Sequence, residues 1–140
     1  MCGIAGIYDP NGSVDEAELL RMRDSLSHRG PDSAGIYLNK QKTVGLGHRR
    51  LAVIDLSPSG HQPMTNESNE IWLVFNGEIY NFGELRSQLK KLGHEFRSNS
   101  DSETIIHAYE EWGDSCVERF AGMFAFVIYD SRSGQDRLLL

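Results

Sequence analysis

Only two cysteines, Cys2 and Cys116, occur among the 140 residues, so no disulfide framework can carry the fold. They form no Cys-x-x-Cys pair, and the five scattered histidines offer no zinc spacing; no metal site is expected. Positive charge is scarce too. With 14 Lys and Arg against 20 Asp and Glu the chain carries −6, which excludes the broad basic footprint of a nucleic-acid binder. The run His48-Arg49-Arg50 is too short to change that. No apolar stretch reaches membrane-spanning length, and no basic-then-apolar leader precedes Cys2, which removes the lipoprotein explanation of a cysteine in second position. Repeats, linkers and low-complexity segments are also missing. These absences point to the cytoplasm, a reducing compartment that suits a reactive thiol.

A hydrophobic fraction of 39% against 24% charged residues supports a packed core, and the length suits one domain, residues 2–140. Gly3 to Tyr8 reads as a strand closed by Asp9-Pro10-Asn11-Gly12. Ser13 and Glu16 make a capping-box pattern for a helix over 14–27, with Leu19, Met22 and Leu26 inward. Ala34–Leu38 and Thr43–Leu46 form an expected hairpin around residues 39–42, and Arg50–Asp55 is a further extended run. Residues 57–70 read as a long loop, a length associated with function. Ile71–Phe75 is a strand that enters a polar turn, Asn76-Gly77-Glu78. Asn81 with Glu84, and Ser100 with Glu103, cap two more helices, the first with Leu85, Leu89 and Leu92 inward and Gly93 as its stop. A short helix is expected at 114–120. Met123–Tyr129 is apolar throughout and predicts a strand covered on both faces, and Arg137–Leu140 starts its partner. The chain ends inside that apolar run, which suggests a domain continuing beyond it.

Position 2 carries the sharpest chemistry. Removal of the initiator Met leaves a cysteine whose own α-amine, with a reference pKa of roughly 7.7–8.0, can take the thiol proton and activate the sulfur.

Six segments then occur in order: Cys2-Gly3-Ile4-Ala5-Gly6, Ser27-His28-Arg29-Gly30-Pro31-Asp32, His48-Arg49-Arg50-Leu51-Ala52-Val53-Ile54-Asp55, Gln62-Pro63-Met64, Asn76-Gly77-Glu78-Ile79-Tyr80-Asn81 and Ser100-Asp101-Ser102-Glu103. Over its whole length the chain resembles the N-terminal glutaminase domain of glutamine-hydrolysing asparagine synthetases, a class II glutamine amidotransferase. The resemblance implies an α+β fold, the four-layer αββα sandwich of N-terminal-nucleophile hydrolases, truncated here at its C-terminal end. It assigns Cys2 as nucleophile, and the Asn76 side-chain amide with the Gly77 backbone N–H as the oxyanion hole. Arg50 would bind the α-carboxylate of glutamine as a bidentate fork, and Asp101 its α-ammonium. Backbone groups of Leu51, Ala52, Val53 and Ile54, together with the Glu78 carboxylate, would complete the glutamine contacts.

Blander readings stand beside these. Asn-Gly is a common hairpin turn, and Asp101 could simply complement a helix dipole. Arg49 reads as a solvated charge, Cys116 as a small buried hydrophobe, and His48, His61 and His107 as structural. The loop at His28–Asp32 is expected to pack near the nucleophile without a direct chemical role. The function that follows is hydrolysis of L-glutamine to glutamate and ammonia, with no cofactor. The ammonia would pass to a synthetase domain or subunit that uses ATP and Mg2+ to turn L-aspartate into L-asparagine. Alternatives are a non-catalytic glutamine-binding or docking remnant, and an amidotransferase of a related pathway such as cell-surface sugar synthesis. A homodimer is left open; a Cys2–Cys116 redox pair has no motif behind it.

Overall fold

A computed structural model of the chain describes residues 1–53 and 57–140. Two antiparallel sheets face one another. The first has the order β1 (Gly3–Tyr8), β3 (Val44–Arg50), β2 (Ser33–Leu38). In the second, β4 (Met64–Thr65), β5 (Ile71–Ile79), β6 (Gly122–Asp130) and β7 (Arg137–Leu139) lie side by side. Helix α1 (Glu16–Ser25) covers the outer face of the first sheet, while α2 (Phe82–Lys91) and α3 (Asp101–Trp112) pack together over the second. The result is the expected four-layer αββα arrangement.

Alternation along β5 explains the two cores. Ile71, Leu73, Phe75 and Ile79 project toward the helices, joining Leu85, Leu89, Ile105, Ile106 and Tyr109. Val74 and the half-buried Trp72 project the other way, toward Val44, Leu46 and Tyr37 of the first sheet, where Tyr37 stacks on Trp72 at 4.0 Å. A strand buried on both faces must be apolar at consecutive positions, which is how Ile71–Phe75 reads. On the first sheet the helix sits close because glycine faces it. A Cβ on Gly45 would lie 3.0 Å from both Leu19 and Val14.

Several boundaries differ from expectation for identifiable reasons. Helix α1 is capped by Asp15, which accepts from Ala17 N at 3.0 Å, while Ser13 donates instead to Asp9. Of its expected inward residues, Leu19 is fully buried but Met22 is exposed. Strand β3 does not break at Leu46. Both neighbours pair with it up to Arg49 and Arg50, so the ladder carries it through. Residues 51–53 lie outside any strand, and the remainder of the expected run, 54–55, lies outside the described residues. The 57–70 loop contains a 3-10 turn, Pro58–Gly60, and the two-residue β4. Strand β6 is covered on both faces only in its second half, with Met123 71% exposed near its start. Leu92 is exposed and ends α2 rather than packing inward; Gly93 follows at φ 102°. The helix expected at 114–120 is a 3-10 segment, Gly113–Arg119.

Caps and turns tie α2 and α3 to the sheet. Asn81 precedes α2, but its side chain accepts from Ala121 N and donates to Arg119 O, both at 2.9 Å, stitching the helix to the start of β6. Ser100 caps α3 as expected, accepting from Ser102 N at 3.2 Å. Glu103 does not reach back to Ser100; it accepts from Arg97 N at 2.7 Å and Ser98 N at 2.8 Å.

His107 is 2% exposed between Glu103 and Glu110, with Nδ1 2.8 Å from Glu110 Oε2. Burial opposes its protonation, but the two carboxylates outweigh burial and push its pKa up to about 9. Burial likewise opposes ionisation of Glu103, yet the His107 ring 3.8 Å away and hydrogen bonds from Arg97 and Ser98 hold it down to about 2. No helix among the described residues is long and apolar enough to cross a membrane.

His107 is more basic folded than unfolded, so its contribution to stability is complete below about pH 6.5 and is lost as pH rises through about 9. Thermal unfolding followed across this window should show a Tm decline in the wild type that is markedly flatter in His107→Gln.

Candidate active site

Strand β4 is only two residues long, so beyond the pair Met64↔Leu73 the edge of β5 has no strand beside it among the described residues. Backbone groups of a strand point alternately to its two neighbours. On β5 the odd-numbered residues turn away from β6. Ile71 N donates to Asn66 Oδ1 at 3.1 Å, Phe75 N to Gln62 Oε1 at 2.7 Å, and Ile79 N to Asp101 Oδ2 at 3.0 Å. Gly77 falls at the same parity. Its N–H therefore faces away from β6, toward a cavity of about 220 Å3 that it lines together with Cys2, Arg50, Leu51, Val53, Gln62, Asn76, Glu78 and Asp101.

Asn76-Gly77 is thus not the expected turn. Both residues lie within β5, in register with Ala125 and Phe124 of β6. What glycine supplies is close approach. At φ 154°, a Cβ on Gly77 would sit 2.3 Å from Met123 O and 2.5 Å from Phe124 Cα. The Oδ1 atom of Asn76 is buried with no hydrogen-bond partner among the described residues.

Cys2 is half-buried and immediately precedes β1. Its Sγ accepts from Leu51 N at 3.4 Å, and its carbonyl accepts from Arg29 Nε at 3.1 Å. Arg49 Nε in turn donates to Gly30 O at 3.0 Å, and its guanidinium lies 3.5 Å from Asp24. The reading of Arg49 as a solvated charge fails, because its side chain is 18% exposed and holds the loop that holds Cys2. Asp32 of the same loop accepts from Ala52 N at 2.8 Å. The His28–Asp32 loop therefore supports both Cys2 and the 51–53 segment. The sequence motif marked the loop but not these contacts.

The other expected site residues are placed as follows. Arg50 ends β3 and lines the cavity, with Nη1 donating to Ser57 O at 3.0 Å. Both backbone groups of Leu51 meet the Cys2 thiol, its N–H donating to Sγ and its carbonyl accepting from Sγ–H at 3.7 Å, while the Ala52 N–H is engaged by Asp32. Val53 is 73% exposed on the rim, and Ile54 lies outside the described residues. Glu78 is exposed at the mouth. Asp101 is 4% exposed at the first position of α3. Desolvation raises its pKa, and the Glu78 charge adds to that, against the N–H groups of Ile79 and Ser102. A cation placed beside Asp101 would offset the same penalty.

Two residues outside the expected set touch β5 at Phe75, one position before Asn76. Gln62 accepts from Phe75 N, and His48 Nε2 lies 3.0 Å from Phe75 O. His48 is fully buried, and burial lowers its pKa to about 4, so it stays neutral. The expected structural role of His48 holds.

In overall architecture the chain is similar to the solved glutamine phosphoribosylpyrophosphate amidotransferase from Bacillus subtilis, complexed with ADP and GMP. The TM-score is 0.74 over 93% of this chain and 35% of that one, at 21% identity. The fold is that of an N-terminal-nucleophile hydrolase. A family model described as a glutamine amidotransferase domain matches residues 1–139, and the chain belongs to that family. It is 40% identical to a putative asparagine synthetase [glutamine-hydrolyzing] 2 of Methanocaldococcus jannaschii and 40% identical to asparagine synthetase [glutamine-hydrolyzing] 3 of Bacillus subtilis, over 99% of this chain in both cases. Identity to asparagine synthetase [glutamine-hydrolyzing] 1 of Arabidopsis thaliana is 45% over 94%. The chain spans 30%, 24% and 22% of those relatives.

Cys116 is fully buried, and burial pushes its thiol pKa up to about 11, whereas Cys2 opens onto the cavity. Iodoacetamide should therefore modify one cysteine of the native chain, Cys2, and both after denaturation, as read by peptide mass mapping.

Proposed function

We propose that this chain is the glutaminase module of an amidotransferase of the asparagine-synthetase type, hydrolysing L-glutamine to glutamate and ammonia through a thioester on Cys2. The observation that carries this reading is the convergence on one cavity of a thiol near the chain start, an edge-strand N–H at Gly77, a guanidinium at Arg50 and a buried carboxylate at Asp101. Together they match a ligand with a reactive carboxamide at one end and an amino-acid group at the other.

In this reading Met1, which lines the cavity, is removed, and the α-amine of Cys2 takes the thiol proton. The sulfur attacks the carboxamide carbon, and the carbonyl π electrons move onto oxygen. The Gly77 N–H and the Asn76 side chain receive that charge as neutral donors. Collapse of the intermediate expels ammonia, which takes its proton from the α-ammonium of Cys2. Water then adds to the thioester carbon, and departure of the Cys2 sulfur yields glutamate and the free thiol. Arg50 holds the α-carboxylate and Asp101 the α-ammonium, with Glu78 and the carbonyls of the 51–53 segment around them. The ammonia goes to a synthetase domain or subunit outside these residues, which supplies ATP and Mg2+ chemistry to amidate L-aspartate.

A glutaminase assay with intact-mass analysis tests the scheme. Cys2→Ala should hydrolyse no glutamine. Asn76→Ala should lower kcat by about 10²–10³ with a smaller change in KM. A glutamine-analogue chloroketone should label Cys2 covalently in the wild type. An unlabelled Cys2, or hydrolysis by Cys2→Ala, would instead support a non-catalytic binding remnant.

A further inference from the structure

Gln62 is 5% exposed and belongs to no strand, yet it bridges the two elements that supply the site. Its Oε1 accepts from Phe75 N at 2.7 Å, and its Nε2 donates to Ser102 Oγ at 3.1 Å. Ser102 is 2% exposed and lies next to Asp101. Its Oγ also accepts from Ser100 Oγ at 3.0 Å, so the amide of Gln62 is keyed into the capped start of α3. On the other polar group of the same Phe75 residue, His48 Nε2–H donates to the carbonyl. Two side chains thus stand in for the strand partner that β5 lacks past Leu73, and they do so two residues before Gly77. The Phe75 side chain is itself 3% exposed in the helix-facing core. This part of the backbone is therefore fixed from every side except where Gly77 meets the cavity.

We propose that Gln62 is a positioning residue of the oxyanion hole: it sets the direction of the Gly77 N–H by fixing β5 at Phe75, and locks that setting to the start of α3 through Ser102. The proposal rests on the glutaminase reading above. Gln62 touches neither the sulfur nor the oxyanion in this scheme. An apolar side chain there leaves the Phe75 N–H buried and unpaired, so the strand relaxes toward another partner and the hole loses alignment. A glutamine side chain suits the task because it presents one acceptor and one donor in a single plane. A neutral carboxyl does the same; an ionised one does not, having no donor for Ser102 and adding negative charge beside the developing oxyanion.

Steady-state glutaminase kinetics of the full chain separate this from a purely structural role. Relative to wild type, Gln62→Met should lower kcat about 10–100-fold while KM stays within about threefold, because the loss falls on the transition state. Gln62→Glu, followed between about pH 5 and pH 8, should approach the wild-type kcat as pH falls, since protonation restores the donor. Hydrogen exchange at the Phe75 amide should quicken in Gln62→Met while the Ile79 amide, held by Asp101, keeps its protection; this reading needs no turnover. If Gln62→Met does not fold, the pH dependence of the Gln62→Glu to wild-type ratio decides alone. A flat ratio, or a loss confined to KM, overturns the proposal while leaving the glutaminase reading intact. A wild type that hydrolyses no glutamine overturns both.

Discussion

Everything at the site depends on β5 being longer than the strand beside it. A backbone N–H that faces a strand is used up by the ladder, and one that faces water is hydrated and mobile. Between Leu73 and Ile79 this edge is neither. Gln62 takes the Phe75 N–H, Asp101 takes the Ile79 N–H, and the N–H of Gly77 is held in register between them. Because β6 presses on Gly77 from the other side, with Met123 O where a Cβ would go, the peptide has little freedom to turn. Rigidity here comes from a sheet edge whose partners have been replaced by side chains, which preorganises a donor without consuming it.

The second support is the loop between α1 and β2. Through Arg29 it grips the Cys2 carbonyl, through Asp32 it grips Ala52, and Arg49 of β3 grips the loop in turn. The start of the chain, which would ordinarily fray, is thereby fastened on the same side as the Leu51 N–H that meets its sulfur. Cys2 and the Gly77 edge reach the cavity from different sheets. Their relative position is set by the packing of Val44 and Leu46 against Val74 and Tyr129.

What could be read from the sequence follows the range of the interactions. Local patterns located β1, the 39–42 hairpin, the Ser100 cap and all three helices, because periodicity and capping act within a few residues. Asn76-Gly77 misled as a turn, since the glycine answers to strand β6, some 47 residues away, and not to a local reversal. The length of β3 was hidden because it is fixed by two neighbours, both distant in sequence or beyond a hairpin. Arg29, Arg49, His48 and Gln62 act over spans that no short pattern encodes. Cys2, Arg50, Leu51, Val53, Asn76, Gly77, Glu78 and Asp101 line one cavity, but their contacts were not legible. Ala52 instead gives its N–H to the supporting loop.

The burial of Asp101 has one more consequence. Its carboxylate is 4% exposed with the Glu78 charge nearby, and the N–H groups of Ile79 and Ser102 offset only part of what burial costs it. A positive group brought beside that carboxylate would offset the remainder, which a neutral or anionic group would not. A cationic group beside Asp101 is thus favoured over a neutral one by the same burial that raises the carboxyl's pKa. The same oxygen pair couples that choice to β5, so recognition of one end of a ligand is felt in the strand that would act on the other.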